Sequence, residues 1–286
     1  MDAEIYIRQM LPEDLDLALV LKKTEGWNQT REDWQFFLRQ QPSLCLVAVV
    51  EDKPVGTVTA VAYQSRLAWI GMMLVDRKFR RKGISKMLMR EILHRLEGFS
   101  TIKLDATPEG RFVYQQLGFK KEYSLWRFIR KENPSRREPD RDAGISPVSV
   151  ADLPKLEKLD TMVFGAGRDN VLRYLLAAFP AGAFMLEEGG EIKGFLFSRK
   201  GSDYTQLGPL VAKDETVARR LISQALAQLN EHALVLDVAA SRQELMSWLV
   251  NRGFEQRREL VRMYLQDNRY SGIPEKYYLI AGPEFG

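Results

Sequence analysis

Residues 76–85 read Asp76-Arg77-Lys78-Phe79-Arg80-Arg81-Lys82-Gly83-Ile84-Ser85. They lie between a strand-like run, Leu67 to Val75, and a stretch whose Ile84, Met87, Leu88, Ile92 and Leu96 share one face of a helix. A strand, a basic turn with a glycine and a helix start make an anion site. The first N–H groups of a helix have no partner within it, and the helix dipole favours negative charge there. Gly83 lets a phosphate approach the backbone closely, and Ser85 is small enough not to obstruct it. The flanking arginines and lysines can add charge-assisted hydrogen bonds. The residues alone leave two readings, a phosphate ligand or a solvated basic helix start.

Working outward from this turn, Glu4 to Gln9 reads as a strand and Pro12 opens a helix where its missing N–H costs least. Thr30 is the expected N-cap of a second helix, with Asp33 in its first turn and Trp34, Phe37 and Leu38 on one apolar face. Strand-like runs follow at Leu44 to Glu51, Val55 to Tyr63 and Leu67 to Val75, the first two joined by a turn at Asp52-Lys53-Pro54. Beyond the helix that starts at Ile84 come a strand from Thr101 to Asp105, a short helix from Pro108 to Gln116, and strands after Gly118 and after Tyr123. The order is β-α-α-β-β-β-α-β-α-β-β, an α+β arrangement with a mixed sheet.

The same order of signals then recurs. Asp14-Leu15 and Asp152-Leu153 are 138 residues apart, as are Gly56 and Gly194; Asp105 and Asp237 are 132 apart, and Gly118-Phe119 and Gly253-Phe254 are 135 apart. These spacings describe a duplicated domain. The polar stretch Lys131 to Gly144, with two prolines, interrupts the periodicity and reads as the linker between residues 1–130 and residues 145–286. The second copy lacks the basic glycine turn. Leu210-Val211-Ala212 passes through Lys213-Asp214-Glu215-Thr216 into its helix, where two acids would repel a phosphate.

The 286 residues suit two domains, and 45% hydrophobic with 28% charged residues is the balance of a globular protein. The longest apolar run, Leu44 to Val50, is too short to span a bilayer, and the start MDAEIYIRQM does not read as a secretory signal. A cytoplasmic protein with no membrane partner is the expectation. Cys45, the single cysteine, lies in a strand-like run, and His94 and His232 have no metal-ligand or nucleophile partners nearby in the pattern, so no metal is expected. The net charge of +4 is mild, and the Arg77 to Lys82 cluster lacks the interleaved aromatics or reading helix of a nucleic-acid surface, so no nucleic-acid partner is expected. Gly165-Ala166-Gly167 is a lone G-x-G without the strand and helix that a dinucleotide loop needs.

Arg80-x-x-Gly83-x-Ser85 resembles the Q/R-x-x-G-x-G/A cofactor signature of the GNAT acetyltransferase superfamily, with serine where glycine or alanine is usual. Tyr114-Gln115-Gln116-Leu117-Gly118-Phe119 resembles the Y-x-x-x-G-F segment that closes the last conserved helix of that superfamily. The resemblance covers residues 4 to about 130, and the repeat carries a weaker version to about 266. It implies two tandem GNAT-like domains, each a mostly antiparallel twisted sheet flanked by helices, the first catalytic and the second degenerate.

It further implies that acetyl-CoA binds along Met73, Leu74 and Val75 and at the turn formed by Arg80, Arg81, Lys82, Gly83, Ile84 and Ser85. Tyr114 stands where the family commonly places its general acid. Many relatives carry a basic carboxylate on the strand here spelled Trp69 to Val75, and this strand has none. Glu25 and Asp105 are the candidates to accept the proton through water. Trp27 and Asn28 lie in the loop that roofs the acceptor site, so they are candidate substrate contacts. The expected activity is acetyl transfer from acetyl-CoA to the amine of a small molecule by direct attack on the thioester, in a monomer or homodimer. The alternative is a non-catalytic acyl-CoA-binding sensor.

Overall fold

The protein is described by a computed structural model over residues 4–132 and 142–286. The first half runs β1 (Ile5–Gln9), α1 (Leu15–Thr24), α2 (Arg31–Gln40), β2 (Cys45–Val50), β3 (Lys53–Tyr63), β4 (Leu67–Val75), α3 (Ile84–Arg95), β5 (Thr101–Ala106), α4 (Pro108–Gln116) and β6 (Lys120–Arg130). The second runs β7 (Ile145–Pro147), α5 (Leu153–Phe164), α6 (Asp169–Ala178), β8 (Phe184–Glu188), β9 (Glu191–Lys200), β10 (Thr205–Ala212), α7 (Glu215–Gln228), β11 (Leu234–Ala239), α8 (Gln243–Asn251), β12 (Glu255–Gln266) and β13 (Tyr277–Leu279). Most of the expected linker, residues 133–141, lies outside the described residues.

The local signals act as their chemistry requires. Asp33 accepts from the Thr30 N–H at 2.7 Å while the Thr30 side chain caps the Asp33 N–H, so two free donors of α2 are satisfied reciprocally. Pro12 opens a single 3-10 turn, Pro12–Asp14, ahead of α1. The two strands expected after Gly118 and after Tyr123 are one continuous strand, β6. The polar residues at 121–122 interrupt the apolar pattern without interrupting the hydrogen-bonded ladder.

Among the described residues, thirteen strands form one mixed sheet in the order β1-β2-β3-β4-β5-β12-β6-β11-β13-β10-β9-β8-β7. Two strand pairs are parallel, β4 with β5 and β10 with β11, and the other ladders are antiparallel. The last long strand of each half is exchanged. β12 from the second half pairs with β5 of the first, and β6 from the first half pairs with β11 of the second. β6 and β12 also pair with each other along most of their length, joining the halves into one sheet.

Two buried ion pairs fix the exchange. Asp105 on β5 takes both Nε and Nη2 of Arg262 from β12, each at 2.9 Å. Its repeat counterpart Asp237 on β11 takes Arg127 from β6 in the same way at 2.8 Å. Each strand-end aspartate therefore receives its arginine from the strand that the other half contributes.

Alternation along the strands feeds two faces. Cys45, Val47 and Val49 of β2 enter a core with α1, α2, α5 and α6, whereas Leu46, Ala48 and Val50 enter one with α3. The first of these cores runs across both halves and takes in Tyr277, Ile280, Ala281 and Phe285 of the C-terminal segment. α7 and α8 cover the remaining face of the second half.

Candidate active site

β4 changes partner halfway along its length. Its first four residues pair with β5, ending at Ile70 opposite Leu104, while β5 continues to Ala106 against β12. On the other side, the β3 register shifts between Thr57 and Thr59, which face Leu74 and Gly71, so β4 holds one extra residue there. The bulge centres on Met72, whose φ is 53° and whose carbonyl accepts from Thr57 Oγ1 at 2.8 Å. One inserted residue also flips the parity of the strand. Leu67 and Trp69 share a core with Met72 and Leu74. Bulges bend a strand and raise its twist, and here β4 parts from β5 and leaves its edge from Gly71 to Val75 along a cleft.

The cleft has a volume of about 1060 Å³ and runs from the β4 edge to the start of α3. At that end Gly83 adopts φ 80° and is the N-cap of α3 without a side-chain cap. A Cβ built there meets no atom within 4 Å. A helix start with uncapped N–H groups facing open space fits a phosphate. Of the residues that the sequence reading assigned to the cofactor, Met73, Leu74, Val75, Arg80, Arg81, Gly83, Ile84 and Ser85 line this cleft. Lys82 does not line it; its ammonium lies over the Phe79 ring, 5.5 Å from the centroid, and Lys86 from the first turn of α3 lines the wall instead.

The other candidate residues meet at the same cleft with varied partners. Tyr114 on α4 lines it beside Phe119, and burial pushes its phenol up to about 12. Glu25 Oε1 accepts from Arg77 Nε at 3.0 Å and Arg80 Nη2 at 2.6 Å, which braces the loop after α1 against the basic turn. Asp105 lines the wall with both oxygens held by Arg262. Trp27 is half-buried in the roof.

Asn28 lines the cleft as well, with its side-chain amide held by the second half. Its Oδ1 accepts from the N–H groups of Asp203 and Tyr204 at 3.1 and 3.0 Å, and its Nδ2 donates to the Tyr204 carbonyl at 2.9 Å. The amide clamps the loop of the second half onto the roof of the cleft. Also lining the cleft are Gln29, Arg127 and Arg258, which sequence reasoning missed, and Pro283 and Glu284 of the C-terminal segment. Arg127 and Arg258 come from the exchanged strands β6 and β12. Burial, and then the charge of Arg127, hold the Arg258 guanidinium below its ordinary value.

The second half has the same parallel pair and a different filling. β10 pairs with β11 at Thr205–Leu234 and Gln206–Val235 and then parts from it. β13 enters that gap, with Leu279 opposite Leu210 on one side and Val238 on the other. The position that is an open slot between β4 and β5 is thus occupied by the chain's own strand between β10 and β11. Asp214 caps α7 by accepting from the Val217 N–H at 2.9 Å, so a carboxylate covers the helix start that Gly83 leaves open in the first half.

Splayed parallel strands that lead to an open helix start are the fold and site of an acyl-CoA-dependent transferase. Accordingly, the acetyltransferase (GNAT) family description matches residues 8–119, and an acetyltransferase (GNAT) domain description matches residues 156–279. The chain belongs to the GNAT acetyltransferases and carries two such domains in tandem. It is similar to the holothin acyltransferase of Pseudoalteromonas sp. (strain SANK 73390), 26% identical over 263 residues, which cover 92% of this chain and 88% of that protein.

Among solved structures it resembles a putative acetyltransferase from Pyrococcus horikoshii with a TM-score of 0.81 and 26% identity, covering 99% of this chain and 96% of that one. It shares the fold of a tandem GNAT protein from the clavulanic acid biosynthesis pathway, with a TM-score of 0.62 and 14% identity over 91% of this chain and 98% of that one. No helix among the described residues is long and apolar enough to cross a membrane.

Proposed function

We propose that the protein transfers an acetyl group from acetyl-CoA to the amine of a small molecule, using one cofactor site in the first half, residues 1–130. The observation that carries this reading is the pairing of the open β4 edge with the uncapped start of α3 in a single cleft. The bound thioester would supply the acyl group, activated for attack by nitrogen. Backbone groups of Met73 to Val75 would hold the pantetheine arm as a sheet edge holds an added strand. The N–H groups after Gly83, with Arg80, Arg81 and Lys86, would hold the phosphates. Tyr114 is the proposed proton donor to the departing thiolate. Burial makes its phenol a weaker acid than in water, so its contribution rests on a hydrogen bond in a dry site.

The second half, residues 145–286, is proposed as a wall of the acceptor site. Its own slot is filled by β13, while Pro283 and Glu284, just beyond that strand, line the cleft of the first half. The experiment is release of free thiol from acetyl-CoA on mixing with a panel of primary amines. Thiol release that depends on both protein and amine supports the proposal. CoA binding without consumption across the panel favours the sensor.

A further inference from the structure

We infer that Glu284, supplied by the C-terminal segment of the second half, is the general base of the acyl transfer and stands in for the carboxylate that β4 lacks. This rests on the acyl-transfer reading above. Residues 280–286 cross the inner part of β4: Trp69 Nε1 donates to the Pro283 carbonyl at 2.9 Å and Tyr63 Oη to the Phe285 carbonyl at 2.8 Å. Between these anchors Glu284 lies directly on Gly71, the residue at the bulge. A Cβ at Gly71 would sit 3.0 Å from the Glu284 Cα, so the strand has given up a side chain where the segment brings a carboxyl group.

Glu284 is 2% exposed and lines the cleft together with Gly71 and Met72. Its Oε1 accepts from Arg199, which also binds Asp33. Its Oε2 is buried without a hydrogen bond of standard geometry. A buried carboxylate oxygen without a well-formed hydrogen bond, with the Gln29 side chain and the Glu284 backbone N–H only near it, is costly as a purely structural feature and is suited to accept a proton. The charged and titratable groups facing it are Arg199 on β9, Asp33 on α2, Arg127 on β6 and Tyr63 on β3, with Gln29 alongside. Burial, against the pull of Arg199, raises its proton affinity above that of an ordinary carboxyl group. That shift makes it a better base for an ammonium at neutral pH.

In the step, an acceptor ammonium gives one proton to Glu284 and its nitrogen lone pair attacks the thioester carbonyl. The C–N bond forms and the C–S bond breaks. The thiolate takes a proton from Tyr114 or water, the proton left on the nitrogen replaces that one, and Glu284 releases its own proton to solvent. Products are the amide, the free thiol and one net proton.

The test uses the full chain, acetyl-CoA and two nearly isosteric acceptors small enough for any acceptor pocket. Methylamine is an ammonium at neutral pH and needs a base; hydroxylamine is a free amine there and does not. Glu284→Gln should slow methylamine acetylation about 100-fold or more while leaving hydroxylamine acetylation and CoA binding within a few-fold of wild type. The methylamine deficit should shrink about tenfold per pH unit as solvent deprotonates the amine.

Equal losses on both acceptors at every pH, or no loss on methylamine, would overturn the inference and leave the acyl-transfer reading standing. Wild-type protein that accelerates neither reaction would remove that reading and this one together. Should Glu284→Gln not fold, Glu284→Asp keeps the charge facing Arg199 and withdraws the oxygen. The same methylamine-selective loss, smaller in size, is expected from it, and an unselective loss refutes the role.

Discussion

Replacing Asp105 with asparagine should destabilise the whole molecule, because it breaks the ion pair that pins β12 into the first half. The Asp105 side chain is 0% exposed and that of Arg262 4%. Arg262 is further confined by the Tyr123 hydroxyl, which accepts from its Nη1 at 2.7 Å, and by the Trp69 ring, whose centroid is 4.5 Å from its Cζ. Asparagine fills the same volume but carries no charge, and only one of its two terminal atoms can accept. The guanidinium then remains buried with no carboxylate bonded to it. Breaking a buried pair in this way costs about 3–5 kcal/mol.

For a chain of this size that corresponds to a fall in Tm of roughly 10 °C, at about 2–4 °C per kcal/mol. Asp237→Asn should cost less, since the Arg127 side chain is 12% exposed and borders the cleft, where water can reach it. Urea unfolding followed by circular dichroism measures both variants. The double change Asp105→Leu with Arg262→Met should recover much of the loss, because an apolar pair of similar volume carries no desolvation penalty. A cost below about 1 kcal/mol for Asp105→Asn would show that the pair does not secure the exchanged strand and would refute the reasoning.

Gly83→Val should abolish CoA binding in calorimetry while the protein still folds. The side chain would enter space that no protein atom occupies, and the left-handed backbone costs the fold only about 1–2 kcal/mol; unchanged affinity would remove the proposed phosphate site. Tyr114→Phe should cut turnover about 10-fold or more and spare CoA affinity, since general acid help is typically worth about 10²- to 10⁴-fold and water replaces part of it; wild-type turnover would make the tyrosine a packing residue. Calorimetric titration should give one CoA per chain, because β13 fills the gap between β10 and β11 and Asp214 caps α7; two sites would mean that the segment vacates its slot.

What the sequence made legible is what short-range chemistry determines. The apolar runs ending at Val75 and the Pro108 to Gln116 helix have the extents that periodicity and capping residues imply, and the Thr30 cap holds with the partner expected of it. The basic turn was readable because its charges, its glycine and the helix start lie in consecutive residues. The strand exchange was not readable. β6 and β12 carry the same pattern after Gly118-Phe119 and Gly253-Phe254, so nothing in either strand states which half it joins. A trace existed in the charges: Arg127 and Arg262 are 135 residues apart, the spacing of the two Gly-Phe pairs, and each reaches the other half's aspartate. The partners of Asn28 were not readable for a related reason: its amide bonds to residues 203 and 204, which are distant in sequence.

The duplication explains why the two halves diverged in the way they did. A slot between splayed parallel strands exposes unpaired backbone groups on both edges, and these must be met by ligand, water or protein. In the first half they remain available to a ligand. In the second, β13 pairs with both edges, so the slot is filled by an anchored strand of the chain itself. That anchor has a consequence five residues on. A segment seated at Leu279 emerges toward β4, where Tyr63 and Trp69 hold its carbonyls and Gly71 makes room for Glu284. A carboxylate on a free tail would pay ordering entropy at every turnover, whereas one borne on a segment already paired into the sheet is positioned in advance. The filled slot in one half and the wall that Pro283 and Glu284 add to the cleft of the other are therefore two effects of the same ten residues, 277–286.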